Sequence, residues 1–115
     1  MLELIPQKHK TEINMFIHHA FIWLQPALSS EDKALFQEKF LAMAKIPSTG
    51  GISIGTPIAS SRPVVDSSFD YAITCHFMDQ DEHDRYQKHP LHLEFIGQCQ
   101  KMWRHVIVYD SQTDF

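Results

Sequence analysis

With 115 residues, of which 43% are hydrophobic and 21% charged, the chain has the size and composition of a single globular domain, which we expect over residues 1–115 with a core at about 12–110. Its formal net charge of −4 and its lack of Lys or Arg blocks argue against nucleic acid and anionic membrane surfaces as partners. Residues 1–10 are too short and too polar for a signal peptide, and we therefore expect a cytoplasmic protein without a membrane span.

The first predicted element is a long strand from Glu12 to Leu24, which is rich in Phe, Ile, His and Trp and free of Gly and Pro. Successive side chains of a strand point to opposite faces of its sheet. One face carries Met15, Ile17, His19, Phe21 and Trp23, and the other carries Phe16, His18, Ala20, Ile22 and Leu24. Because both faces are largely apolar, we expect the sheet to be covered on both sides.

A helix is predicted next, beginning at Ser29 and Ser30, with Asp32 in a capping-box arrangement. Apolar residues recur on one side of this segment at the spacing of a helix: Leu35, Phe36, Phe40, Met43 and Ile46. Pro47 and Gly50 are expected to end it. The sequence therefore predicts a helix with one buried side and one solvated side.

Two more strands are predicted on either side of a loop. Gly51 to Pro57 is a short candidate strand. Phe69 to Met78 is a third predicted strand, in which apolar residues alternate with residues of mixed polarity. The segment between them, Ile58 to Ser68, is rich in Ser and Pro. We expect it to be the most mobile part of the chain.

The second helical region is predicted in two parts. Gln80 to His89 follows Asp79 and Glu82 in a capping arrangement, and Tyr86 is its only aromatic residue. Pro90 cannot continue a regular helix but suits the first turn of a new one, so a kink or restart is expected there. The next segment carries an apolar stripe of Leu91, Phe95, Cys99 and Met102, flanked by His92, Ile96 and Trp103.

A final strand, Val106 to Tyr109, completes the order strand, helix, strand, strand, helix, strand. This order predicts an α+β fold of the ferredoxin-like βαββαβ type, with a four-stranded antiparallel sheet whose helices cover one face. Since the other face is also apolar, we expect two copies of the chain to close their sheets into a dimeric α/β barrel.

The eight histidines invite a metal hypothesis, but their spacing does not favour one. The adjacent His18 and His19 point to opposite faces of a strand, and the break at Pro90 separates His89 from His92. We therefore expect no metal site. The two cysteines, one on a predicted strand and one on a predicted helix, are expected to be reduced.

The run Tyr86-Gln87-Lys88-His89-Pro90-Leu91-His92, followed by Phe95, resembles the Tyr-x-x-His-Pro-x-His segment of the stress-responsive dimeric α/β-barrel (Dabb) family. Further similarity lies in His19-Ala20-Phe21-Ile22-Trp23-Leu24, Ile46-Pro47, Gly55, Asp79-Gln80-Asp81-Glu82 and Val108-Tyr109-Asp110. The resemblance covers most of the chain but not Ile58 to Ser68 or the first ten residues. It implies a homodimeric barrel, usually without a cofactor.

The resemblance also implies site residues. In members with an assigned reaction, such as plant polyketide cyclases, the Tyr and the last His of the motif act as an acid/base pair near a strand His, which corresponds to Tyr86, His92 and His19 here. The residues expected to contact a small apolar or polyketide-like ligand are Phe21, Trp23, His89, Phe95 and Trp103. A cofactor-independent cyclase, isomerase or lyase needs a base of near-neutral pKa and a donor for the developing oxygen anion, and His and Tyr supply both.

Two other interpretations stay open. A His on an apolar helix stripe can be structural, and Tyr86 can be a packing anchor, in which case the chain is a non-catalytic stress-response or ligand-binding barrel protein. The third hypothesis is a haem-degrading or quinol-oxidising monooxygenase, which rests on the shared barrel alone.

Overall fold

The computed structural model of the protein describes residues 14–114. The elements are β1 (Phe16–Leu24), α1 (Ser30–Ala42), β2 (Ile52–Gly55), β3 (Tyr71–Phe77), α2 (Gln80–Lys88), α3 (Pro90–Cys99) and β4 (Trp103–Gln112). Short 3-10 turns follow α1 and α3. The predicted ferredoxin-like order is confirmed, with the second helical region divided at Pro90.

The four strands form one antiparallel sheet in the order β2-β3-β1-β4. The last strand is longer than the predicted Val106 to Tyr109, because β4 pairs with β1 along its whole length. The other strands differ from their predicted bounds by a few residues. Residues 12 and 13 of the predicted first strand lie outside the described residues.

The three helices cover the face of the sheet that carries His18, Ala20 and Ile22 of β1. On α1, Phe36 and Phe40 are fully buried against this face. The rest of the core comes from neighbouring strands and helices and includes Ile73, Cys75, Phe77, Tyr86, Phe95, Cys99 and Met102. Of the two faces predicted for β1, the even-numbered one therefore belongs to the core of the protomer.

Side-chain caps begin all three helices. Ser29 and Asp79 each accept a hydrogen bond from the backbone N–H three residues later, at 3.0 and 2.9 Å. His89 caps α3, and its Nδ1 accepts from the N–H two residues later at 3.1 Å. Pro90 then occupies the first turn, where its missing N–H costs no hydrogen bond. The capping and restart signals of the sequence are confirmed.

The opposite face of the sheet, which we call the open face, has no described helix packed on it. It carries Ile17, His19, Phe21 and Trp23 of β1, Ala72, Thr74 and His76 of β3, and His105, Ile107 and Tyr109 of β4. Phe21 is its aromatic centre, with ring centroids 5.2 Å from Phe69 and 6.3 Å from Tyr109. Tyr109 is 62% exposed. Trp23 is buried on this face, but one protomer packs helices on only one side of its apolar sheet.

Two smaller predictions can be compared with the structure. Cys75 and Cys99 are both buried and free, on β3 and α3 respectively. No helix within residues 14–114 is long and apolar enough to cross a bilayer.

Candidate functional site

A cavity of about 210 Å³ lies between the covered face of the sheet and the helices. It is lined by His18, Ala20, Ile22, Phe40, Met43, Tyr86, Gln87, His92, Phe95, Ile96, Trp103, Val106 and Val108. Most of these side chains are apolar. The polar exceptions are two imidazoles, one phenol and one amide, which is the composition expected of a small-molecule site.

His18 enters the cavity because strand alternation turns it toward the helices, where it is 5% exposed. The register of the sheet places Asp110 of β4 directly opposite it, and His18 Nδ1 lies 2.6 Å from Asp110 Oδ1. Burial lowers the pKa of His18, while the hydrogen bond and charge of Asp110 act in the opposite direction. A neutral imidazole that donates its Nδ1–H to this carboxylate keeps its lone pair on Nε2.

His92 lies in the first turns of α3, directly after the His89 cap. Its Nδ1 is buried. Among the residues that the structure describes, this is the one buried side-chain nitrogen or oxygen atom that has no hydrogen-bond partner. Burial lowers the pKa of His92, and the backbone of Gln87 opposes that effect. The nearby His18 and His83 lower it further. A buried polar atom without a partner costs stability, so its presence in a cavity points to a ligand that would satisfy it.

Tyr86 is the anchor of α2, as predicted, and is 2% exposed. Its ring centroid lies 4.9 Å from that of His92 and 5.7 Å from that of His18. Its hydroxyl interacts with the Cys75 thiol. Burial, together with Cys75, raises the pKa of Tyr86 well above its usual range, and burial raises the pKa of Cys75 to about 12. The phenol therefore stays protonated, and the thiol is no nucleophile at neutral pH.

The structure brings together four of the predicted site residues. Tyr86, His92, Phe95 and Trp103 all line the cavity. The Phe95 ring packs against Trp103 with centroids 5.4 Å apart. The acid/base pair inferred from the sequence motif thus shares a cavity with two aromatic walls.

The structure does not bring His19, Phe21 and Trp23 into this cavity. All three occupy odd-numbered positions of β1 and lie on the open face, where His19 Nδ1 is 3.2 Å from the Thr74 hydroxyl. The expectation that His19 lies beside Tyr86 and His92 was wrong, because the covered face of β1 is the even-numbered one. His18 is the strand histidine beside them.

His89, which was predicted to contact the ligand, does not line this cavity. Its Nδ1 accepts the backbone N–H of Leu91, and the residue lines a separate pocket together with Ile46, Pro47, Glu82 and Arg85. The histidine of the His-Pro step is thus occupied as a helix cap.

Sequence reasoning missed His18 and Asp110 as a pair. Both residues were visible, one on the even face of the first strand and the other at the end of the last. Only the register between β1 and β4 sets them opposite each other, and a single sequence does not reveal that register.

Three groups from different elements could together approach a metal ion. His18, His83 and Asp110 each offer a ligand atom within 4.8 Å of the other two. However, the 2.6 Å between His18 Nδ1 and Asp110 Oδ1 is a hydrogen-bond distance, whereas two ligands bound to one tetrahedral ion at about 2.1 Å lie roughly 3.4 Å apart. The arrangement fits a hydrogen-bonded pair better than a metal centre.

The family model of the stress responsive A/B barrel domain matches residues 16–113 of the chain. Among solved structures, a Dabb family protein with a ferredoxin-like fold from Mesorhizobium loti is similar at a TM-score of 0.63 and 19% identity, covering 85% of this chain and 95% of that one. A dimeric ferredoxin-like protein of unknown function from Thermobifida fusca has a TM-score of 0.68 and 14% identity, covering 91% of this chain and 98% of that one.

A third similar structure is the hydroxynitrile lyase from Passiflora edulis, with a TM-score of 0.70 and 16% identity, covering 87% of this chain and 94% of that one. At these identities the likeness shows the fold alone. None of the curated proteins matches the chain in sequence.

Proposed function

The chain belongs to the stress-responsive A/B barrel domain family, and from that premise we propose that it is a homodimer in which each protomer binds a small, largely apolar molecule between its sheet and its helices. The observation that carries this proposal is the buried, unpaired Nδ1 of His92 inside a cavity whose walls are mainly apolar.

The open face supports the homodimer. Its aromatic centre of Phe21, Phe69 and Tyr109 has no described helix over it. An apolar sheet face of this kind marks an association surface, and two-fold pairing of identical copies covers it most simply. The similar protein from Thermobifida fusca is described as dimeric, which agrees with this arrangement.

The cavity limits the size of the ligand. An apolar cavity of about 150 Å³ holds benzene in a well-studied protein, so about 210 Å³ has room for one ring with a short substituent. The aromatic walls of Phe95 and Trp103 suit such a ring. A hydroxyl group on the substituent would satisfy His92 Nδ1 in either tautomer of the ring, because a hydroxyl can both donate and accept a hydrogen bond.

The pair of histidines supports cofactor-independent proton transfer of the lyase, isomerase or cyclase kind. His18, with its Nδ1 held by Asp110, accepts a proton on Nε2 from a hydroxyl group or from a carbon beside a carbonyl. His92 binds the oxygen on which charge develops. In a lyase reaction, the hydroxyl proton moves to His18, the carbon–carbon bond breaks as the carbonyl forms, and the leaving carbon group takes the proton back.

A second candidate function is ligand binding without turnover. The observation that favours it is the burial of Tyr86 beside the Cys75 thiol, because burial raises the pKa of the phenol and makes Tyr86 a weaker acid. In this case the cavity and His92 still bind a one-ring molecule. No feature of the described cavity favours the monooxygenase hypothesis over these two.

The test of binding compares benzyl alcohol with toluene, two one-ring molecules that differ in a hydroxyl group. We expect benzyl alcohol to raise the melting temperature of the protein more than toluene does, since only its hydroxyl can form a hydrogen bond with His92. In His92→Phe, which keeps a ring beside Tyr86 but removes the nitrogen, this preference should disappear. If neither molecule stabilises the protein, or if the variant keeps the preference, the proposal fails.

A further inference from the structure

The segment between β2 and β3 takes no part in the proposed site, yet it is the most exposed part of the described chain. We call residues 56–68 the arm. Every residue from 58 to 66 is exposed, including Ile58 at 84% and Val64 at 80%. Apolar side chains this exposed on a segment without helix or strand are not covered by the protomer itself.

The arm is organised by its own hydrogen bonds. The backbone N–H of Arg62 donates to Ser60 Oγ at 3.1 Å, and that of Val65 donates to the Arg62 carbonyl at 3.0 Å. These contacts are local, and they shape the arm without burying its aliphatic side chains.

The end of the arm is fixed on the open face. Trp23 Nε1 donates to Ser68 Oγ at 3.0 Å, and Ser68 in turn donates to Asp66 Oδ1 at 2.6 Å. Phe69 follows directly and packs edge-on against Phe21. The arm therefore leaves the protomer from the same face that the proposed homodimer covers.

Beside this anchor, the open face contains a hollow of about 170 Å³. We call it the aromatic hollow, and it is lined by Phe21, Trp23, Asp66, Phe69, Ile107 and Tyr109. Its volume is enough for one or two aliphatic side chains, and its walls are mainly aromatic. Asp66, which lines the hollow from the end of the arm, has the opposite charge to Arg62 nearer the middle of the arm.

We propose that in the homodimer the arm of each protomer crosses to its partner and places Ile58 or Val64 in the aromatic hollow of that second copy. This inference rests on the homodimer of the proposed function. Two-fold symmetry makes the exchange reciprocal, so that both arms and both hollows are used. In this exchange, an exposed aliphatic side chain of the arm packs against the exposed Tyr109 at the hollow.

A mixing experiment tests the exchange. Ile58→Cys or Val64→Cys protein is mixed with an equal amount of Tyr109→Cys protein and oxidised, so that a heterodimeric disulfide can form only between chains. The native cysteines are buried and should not react. We expect at least one arm variant to give a covalent heterodimer. A matched mixture of Gln98→Cys, exposed on α3, with Tyr109→Cys should give none.

Sedimentation distinguishes two outcomes: that the arms do not exchange within a homodimer, and that no homodimer forms. Ile58→Asp and Val64→Asp should together weaken dimerisation at least about tenfold, whereas Ser60→Asp, on the same arm, should not. A dimer that is unaffected by the aspartates and gives no heterodimeric disulfide overturns the arm exchange alone. A wild-type chain that sediments as a monomer overturns the homodimer and the exchange together.

Discussion

Asp110 on β4 stands directly opposite His18 on β1, with 2.6 Å between Asp110 Oδ1 and His18 Nδ1. The histidine is buried, while the carboxylate side chain is 41% exposed. The pair thus connects the interior of the cavity with its solvent-facing edge. It fixes one tautomer of a buried imidazole, which is the usual way in which a protein orients a histidine base.

The first prediction concerns this pair. In Asp110→Asn the charge that opposes burial is lost, so the pKa of His18 should fall further below its ordinary value. If the chain catalyses the proposed proton transfer, its rate should fall at least about tenfold, because the base is weaker and less well oriented. NMR titration of the histidine ring protons measures the pKa. Asp81→Asn, at an exposed position in the first turn of α2, is the matched control and should leave His18 unchanged.

The second prediction concerns the unpaired nitrogen of His92. Replacing it with Phe removes a buried polar atom that has no partner and keeps the ring contact with Tyr86. We expect the free energy of unfolding to rise by about 1 kcal/mol in the absence of ligand. Urea denaturation measures this change. A marked loss of stability would show instead that His92 is a structural residue.

The third prediction is the pH dependence of stability. Burial lowers the folded-state pKa of both His18 and His92, while histidine in the unfolded chain titrates near about 6.5. Below that pH the unfolded chain binds more protons than the folded one. The free energy of unfolding should therefore be unaffected by these histidines at neutral pH. It should fall as the pH drops below about 6.5 and level off below the folded-state pKa values.

Denaturation in urea at several pH values between neutral and mildly acidic conditions measures this effect. His92→Phe should show a smaller loss, since one of the two buried histidines is gone. His105→Gln, at an exposed position of β4, should behave like the wild type. Stability that rises as the pH falls would refute the assignment of both histidines as buried and neutral.

The fourth prediction tests the packing of the sheet edge. A Cβ on Gly50 would lie 2.5 Å from His76 Cβ and 3.0 Å from the His76 carbonyl oxygen, and the Gly50 N–H donates to that carbonyl at 2.8 Å. Gly50→Ala should destabilise the fold by about 1–3 kcal/mol. Gly97→Ala, on α3 with nothing within 4 Å, should stabilise it by about 0.5–1 kcal/mol. Equal effects of the two substitutions would contradict the described packing.

Much of the fold followed from local signals in the sequence. The caps at Ser29 and Asp79 and the restart at Pro90 are decided by neighbouring residues, and the structure shows all three. Strand alternation also divided the first strand correctly into two faces. These features depend on interactions within a few residues, which a single sequence contains.

The candidate site depended on information that the sequence does not contain. Alternation separates His18 from His19 but does not say which face the helices cover, and three predicted site residues, His19, Phe21 and Trp23, lie on the face without helices. The capping role of His89 was missed because a ligand contact and a cap at the same position look identical in the sequence. Ala20, a small residue on the even face, was the one signal of close helix packing there.

The most direct test of the account is an NMR titration of the histidine ring protons with benzyl alcohol. We predict that the signals of His18 and His92 shift, because both rings line the cavity, and that the signal of His19 on the open face does not. Shifts of His19 with unchanged signals of His18 and His92 would contradict the central claim that the ligand binds between the sheet and the helices.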